Sequence, residues 1–290
     1  MTDAPYRSGH WTSHDGLNLH YRDYPGDEGR PPILCLHGLT RNARDFDALA
    51  CSLMGKWRVI VPEMRGRGKS DYAAASADYA VPTYVQDILA LRQELGIARY
   101  VAVGTSMGGL MTMAQAREDA SPIVGALLND IGPVIEAEGL SRIRGYVGQG
   151  RGYPTWMHAA RSLQDVHGAS HPGFTLEDWL AMAKRTMILS NSGRITLDYD
   201  VRIAEPILAS DANAAPPDLW PGYDALADKP LLLVRGVASD LLSPETFAEM
   251  QRRSPSASAV TVPDTGHAPT LDEPVVREAI GEWLGRIAAA

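Results

Sequence analysis

The chain has 290 residues, 45% of them hydrophobic and 21% charged, an ordinary globular balance with length for one large domain or a domain carrying an insertion. A formal net charge of −8 without a long basic run argues against nucleic acid or an anionic membrane as partner, and no apolar run approaches the ~18 residues that span a bilayer. The N-terminal MTDAPYRSGHW has no apolar signal core, and Cys35 and Cys51 read as buried thiols of a reducing compartment rather than a disulfide pair, so a cytoplasmic protein is expected.

In chain order, Leu17–Tyr24 alternates as an antiparallel edge hairpin would. Short continuous apolar runs follow at Ile33–Leu36, Val59–Val61, Tyr100–Val103, Val124–Leu128, Leu231–Val234 and Ala259–Val262. Continuous rather than alternating apolarity suits strands buried on both faces, as in a parallel sheet. Helical patterns lie between them. Val81–Leu95 carries Val85, Ile88, Leu89, Leu91 and Leu95 near one face, Ser243-Pro-Glu reads as a cap with proline at the first helical position, and the last helix starts near Pro274. This alternation predicts an α/β sheet with helices on both faces. It stops after Asp130-Ile-Gly-Pro133. Residues 134–221 read as mostly helical, with a helix start at Thr175 and Asp178, and hold Tyr146, Tyr153, Trp156, Trp179 and Trp220. They are expected to form a lid between two core segments, 1–133 and 222–290. Most of their aromatics are expected to form the insertion's own core, while Trp156 and Trp179 are candidates for shaping selectivity.

The stretch VAVGTSMGGL at 101–110 decides the chemistry. A strand, then Gly104-Thr-Ser-Met-Gly108, then a helix is the G-x-S-x-G nucleophile elbow, a turn so tight that the positions two away from the serine must be small. Ser106 is the candidate nucleophile. A serine hydroxyl is weak at neutral pH and needs a base; His267, after the last strand, is the candidate. The imidazole needs a carboxylate to orient it. Asp240, past the Leu231–Val234 strand, is favoured because ASDLLSP gives it a loop on which to turn inward. Asp130 competes, since it also ends a strand, but a structural role at the base of the lid is preferred for it. Backbone N–H groups of Met107 and Leu39 are the candidate oxyanion donors, and His37 is expected to hold the Leu39 turn rather than to catalyse. Arg41 and Arg44 follow that turn; they read first as solvated charges, and otherwise as anchors for an acidic substrate. The remaining histidines lack persuasive metal spacing, and Glu63–Ser70 lacks the glycine spacing of a phosphate loop.

Taken together, HGLT at 37–40, RGRGKSD at 65–71, GTSMGG at 104–109, the RGVASD turn and Gly266-His267 resemble the α/β-hydrolase superfamily over nearly the whole chain. The resemblance implies a mostly parallel eight-stranded sheet with a helical lid after strand 6, and a Ser106–Asp240–His267 triad. It implies no metal or organic cofactor; a small-molecule substrate is the expected partner, without nucleic acid or membrane, and the oligomeric state is left open. The expected activity is cleavage of carboxylic esters of small, largely apolar substrates. A lactonase or C–C bond hydrolase would use the same apparatus, although Thr105 and Ala268 stand where C–C hydrolases usually have Asn and Trp. A non-enzymatic receptor that binds a small ligand is the alternative from another class.

Overall fold

A computed structural model of the chain describes residues 4–150, 152–209 and 217–289. The central sheet is built from β1 (Arg7–Thr12), β2 (Asn18–Tyr24), β3 (Ile33–Leu36), β4 (Val59–Pro62), β5 (Tyr100–Thr105), β6 (Ile123–Asn129), β7 (Leu231–Gly236) and β8 (Ser258–Val262), in spatial order 1-2-4-3-5-6-7-8. The β1–β2 and β2–β4 pairings are antiparallel and all the others parallel. The sheet is therefore mostly parallel and eight-stranded, and the expected edge hairpin is present.

The helices are α1 (Asp47–Leu53), α2 (Val81–Glu94), α3 (Met107–Asp119), α4 (Ala137–Tyr146), α5 (Trp156–His167), α6 (Leu176–Thr186), α7 (Ala204–Ala209), α8 (Trp220–Asp224), α9 (Pro244–Arg253) and α10 (Pro274–Ala289). Side chains alternate across a strand, and here both sides are covered. Leu34, Leu36, Ala102, Leu128 and Leu233 join one core with residues of α2 and α3, while Ile33, Cys35, Val101, Leu127 and Val234 join another with residues of α1 and α10. Burial of both faces explains why these strands are continuously apolar in sequence. Ser243 caps α9 by accepting from the Thr246 N–H, and Thr175 and Asp178 form both halves of a capping box on α6.

Two expectations need correction. Cys35 is buried, but Cys51 is exposed, because it sits on the outer side of α1. The segment between β6 and β7 also contains a two-stranded antiparallel hairpin, Met187–Leu189 with Ile195–Leu197, that helical periodicity did not reveal. That segment has its own small core, in which Ala159, Ala160, Trp179, Met182, Ala183, Met187 and Ile195 are buried together. The Ala/Pro-rich stretch noted near 208–217 falls mainly outside the described residues. No helix among the described residues is long and apolar enough to cross a membrane.

Candidate active site

The elbow between β5 and α3 forces Ser106 to φ 52° and ψ −116°, the left-handed side of the map that non-glycine residues avoid. A Cβ on Gly108 would lie 2.0 Å from the Leu36 carbonyl oxygen, and one on Gly104 would lie 2.6 Å from the Gly108 backbone. Any side chain at either position would displace the main chain, so the motif's glycines are a packing necessity. Ser106 is fixed further by its N–H, which donates to the Asn129 carbonyl at 3.0 Å. The Asn129 side-chain amide donates to Thr105 Oγ1 at 3.1 Å and to the Pro269 carbonyl at 2.9 Å. It thereby ties the loop after His267 to the elbow.

Ser106 Oγ lies 2.9 Å from His267 Nε2, and His267 Nδ1 lies 2.8 Å from Asp130 Oδ2. Because a carboxylate only accepts, Nδ1 carries the proton, and Nε2 is free to accept from the serine hydroxyl. Asp130 is fully buried, and its backbone takes φ 54° at the end of β6. Its N–H donates to the Val234 carbonyl. Its Oδ1 accepts from the Gly236 N–H at 2.8 Å, and its Oδ2 also accepts from the Ser239 hydroxyl at 2.6 Å. Three donors therefore hold the carboxylate in place.

The acid expected at Asp240 is not there. His267 Nδ1 is bonded to Asp130, and Asp240 forms a bidentate pair with Arg142 of α4, at 2.5 Å and 2.9 Å. Its carbonyl also accepts from the Gly139 N–H. Burial raises the Asp240 pKa, and the hydrogen bonds and charge of Arg142 outweigh it, leaving the group below the ordinary carboxylate value. The placements expected for the two aspartates are thus exchanged. Asp130 meets the histidine, and Asp240 fastens the insertion.

The two residues that carry the candidate oxyanion donors both belong to the surroundings of Ser106. Met107 opens α3, where the first N–H groups have no partner inside the helix. Leu39 follows the His37-Gly38 turn and lines the same cavity as Ser106. His37 holds that turn. Its Nε2 accepts from the Met64 N–H at 3.1 Å, so Nδ1 is the protonated nitrogen and donates to the Gly38 carbonyl at 2.8 Å. Buried Arg67 supports it from below: Nε donates to the Leu39 carbonyl at 3.0 Å, Nη1 donates to Tyr84 Oη at 2.9 Å, and Nη2 rests 3.7 Å from Met107 Sδ. Arg67 thus touches both residues whose amides flank the serine. A 1 Å misplacement at a reacting centre can cost about 10²-fold. In Arg67→Met, kcat is therefore expected to fall about 10²-fold with KM little changed, and Arg67→Lys should recover part of the loss. Steady-state kinetics on variants with native circular dichroism would check this.

Above Ser106 lies a cavity of about 90 Å³. Gly38, Leu39, Arg41 and Asp45 line it from the β3 side, and His267 to Thr270 from the β8 side. The insertion contributes Ile143, Tyr146, His167, His171, Met182 and Arg185. Trp179 is buried in the insertion's own core with Trp156 packed against it, and neither lines the cavity. The lining mixes charged and polar side chains with apolar ones, more polar than the largely apolar substrate expected from the sequence would call for. The insertion is also bonded firmly to the core. Arg44 donates to the Arg185 carbonyl and to Asp198, Tyr79 donates to Asp200, and the Gly266 N–H donates to the Ser170 carbonyl. Arg44 is therefore a fastener, and of the two arginines after the oxyanion turn only Arg41 faces the cavity.

Three histidines around the site are held neutral. Burial, with the charge of Arg67 nearby, pushes His37 down to about 4. Burial with Arg41 and Arg142 takes His167 to about 3, and burial with Arg41 and His267 takes His171 to about 4. In the unfolded chain each would take up a proton near pH ~6.5. Between that value and the folded pKa the unfolded state binds more protons, so stability falls as pH drops from about 6.5 toward 4. The slope is at most about 1.4 kcal/mol per pH unit for each histidine. Denaturant midpoints measured at pH 7.5, 6.0 and 5.0 should decline, and His171→Phe should flatten the decline; a midpoint constant across that range would contradict the account.

Comparisons with known proteins identify the family. A sequence model of the α/β hydrolase family matches residues 33–279. The chain belongs to the α/β hydrolase family. A crystal structure of an α/β hydrolase from Novosphingobium aromaticivorans is 55% identical, superposes with a TM-score of 0.94, and matches over 98% of this chain and 99% of that one. The 3-hydroxybutyrate-oligomer hydrolase of Cupriavidus necator is 40% identical over 256 residues, 86% of this chain and 87% of its own. A 2-(acetamidomethylene)succinate hydrolase from Mesorhizobium japonicum is 26% identical over 239 residues, 82% of this chain and 81% of its own. Membership of the family and these relatives' names make this α/β hydrolase a hydrolytic enzyme.

Proposed function

We propose that this α/β hydrolase is a serine esterase that cleaves short carboxylic esters through an acyl-enzyme, with Ser106 as nucleophile, His267 as base and Asp130 as the acid that orients it. The observation that carries the reading is the unbroken row Ser106 Oγ, His267, Asp130, hydrogen-bonded at both joints and opening on the small cavity. Ser106 attacks the ester carbonyl and passes its proton to Nε2. Asp130 keeps the other nitrogen protonated and balances the imidazolium that forms. The amides of Leu39 and Met107 take the oxyanion charge, a contribution worth ~3–4 kcal/mol for a lost donor. His267 then protonates the leaving alkoxide and activates water to release the acid.

The size of the cavity supports a short substrate. Its volume of about 90 Å³ is well under the ~300–1,000 Å³ of drug-sized pockets. The similarity to the 3-hydroxybutyrate-oligomer hydrolase, over most of both chains, supports short oligoesters of a hydroxy acid as the substrate class. The test is a panel of p-nitrophenyl esters from acetate to decanoate together with the dimer of 3-hydroxybutyrate. Turnover of the dimer and of the shortest acyl chains is expected, declining with chain length. A preference for decanoate, or no ester hydrolysis at all, would overturn the reading.

A further inference from the structure

The charges around the cavity do not balance. Among the described residues that line it, Asp45 is the one carboxylate and Arg41 and Arg185 are the two guanidinium groups. Arg41 Nε donates to Asp45 Oδ2 at 2.5 Å, while Arg185 Nε stands 4.0 Å from Asp45 Oδ1. Arg185 Nε is buried without a hydrogen-bond partner among the described residues, and so is Nδ1 of His171, itself only 3% exposed. A buried donor left unpaired costs about 1–3 kcal/mol, so the Arg185 Nε–H in this cavity calls for an acceptor. Two further arginines close by are spent on carboxylates elsewhere, Arg142 on Asp240 and Arg44 on Asp198. Among the lining groups, guanidiniums outnumber carboxylates two to one.

Gly38 stands between the stem of Arg41 and the nucleophile. A Cβ built there would lie 3.3 Å from Arg41 Cγ and 3.7 Å from Ser106 Cβ, so the arginine stem borders the serine. The geometry points to a carboxylate-binding subsite formed by Arg41 and Arg185, which recognises an acidic group on the ester substrate itself. The inference rests on the esterase reading above and narrows it: the substrate is an ester that also carries a free carboxylate a few bonds from the scissile carbonyl, cleaved from its acidic end. In the dimer of a 3-hydroxy acid the terminal carboxylate is that close. Guanidinium groups suit the role, since they pair with carboxylates through fixed, often bidentate hydrogen bonds. Asp45 holds Arg41 in place in the free enzyme and leaves Arg185 available.

The experiment compares the 3-hydroxybutyrate dimer as free acid with its methyl ester, which keeps the shape and removes the charge. For the native enzyme, kcat/KM for the acid is expected to exceed that for the methyl ester by at least about tenfold. In Arg185→Gln and Arg41→Gln this ratio should collapse toward one, mainly through the KM of the acid. Calorimetric binding of both compounds to Ser106→Ala reads the same preference without turnover. Equal kcat/KM for the two compounds in the native enzyme, or a ratio unchanged in both arginine variants, overturns the subsite. Preferential binding of the acid to Ser106→Ala with no hydrolysis of either compound by the native enzyme would uphold the subsite and overturn the esterase reading instead.

Discussion

Ser106→Ala is expected to reduce ester turnover by about 10⁶-fold, to little more than the contribution of oxyanion donors and binding, as loss of the nucleophile does in a serine protease. The substitution removes one oxygen. That oxygen makes a single hydrogen bond, to His267, and the elbow is held by backbone packing and by the Ser106 N–H to Asn129 carbonyl bond. The variant should therefore fold and keep its melting temperature to within a few degrees. KM, or the affinity for an uncleaved substrate, should change little, because the cavity lining is untouched. A folded variant, freed of contaminating esterase, that kept a hundredth of the native rate would contradict the assignment.

The second large effect separates two aspartates. Asp130→Asn leaves Oδ1 able to accept from the Gly236 N–H, but it puts an amide donor where Oδ2 now accepts from His267. The imidazole then turns its lone pair to residue 130 and its N–H to the serine, the wrong tautomer for a base. The same change in a serine protease costs about 10⁴-fold in kcat, and a loss of that order is expected here at neutral pH. Asp240→Asn breaks the bidentate pair to Arg142, whose side chain is about one-fifth exposed. Its effect should fall on the seating of α4, which supplies Ile143 and Tyr146 to the cavity. A melting temperature lowered by a few degrees, a raised KM and a kcat within about tenfold of native are expected, since loss of a partly exposed pair costs on the order of 1 kcal/mol. Kinetics and thermal melts of the two variants side by side would show the ranking; a greater kcat loss in Asp240→Asn would reverse it.

These two residues also mark where the sequence stopped being legible. The strands were readable because both faces of the sheet are buried, so each core strand is a continuous apolar run. The elbow was readable because sterics at Gly104 and Gly108 leave no other residue at those spacings. The choice between Asp130 and Asp240 depends on neither rule. Both follow a sheet strand, and what aims Asp130 at His267 is a left-handed backbone angle together with donors from Gly236 and Ser239, more than a hundred residues downstream. What removes Asp240 is an arginine 98 positions upstream. Local pattern contains no trace of either partner.

The insertion shows the same division. Helical periodicity found an insertion between two sheet strands, and the weight of aromatics pointed to a core for it. Trp179 is in that core. The insertion residues that line the cavity are instead two histidines, a tyrosine, an isoleucine, a methionine and Arg185, spread over α4, α5, α6 and the turn between the last two. Their convergence depends on how those helices are fastened by Asp198, Asp200 and Asp240. No spacing along the chain encodes that. Arg41 was flagged by its place after the oxyanion turn, yet only its side-chain direction separates it from Arg44, which is spent on the insertion.

The account turns on Ser106 being an activated nucleophile, and the most direct measurement is the site of covalent capture. Native enzyme treated with a fluorophosphonate should lose its esterase activity in step with incorporation of one phosphonyl group, and peptide mass spectrometry should place that group on Ser106. Asp130→Asn should be labelled orders of magnitude more slowly and Asp240→Asn at close to the native rate. Absence of an adduct at Ser106 while activity persists, or capture at another serine with loss of activity, would contradict the account.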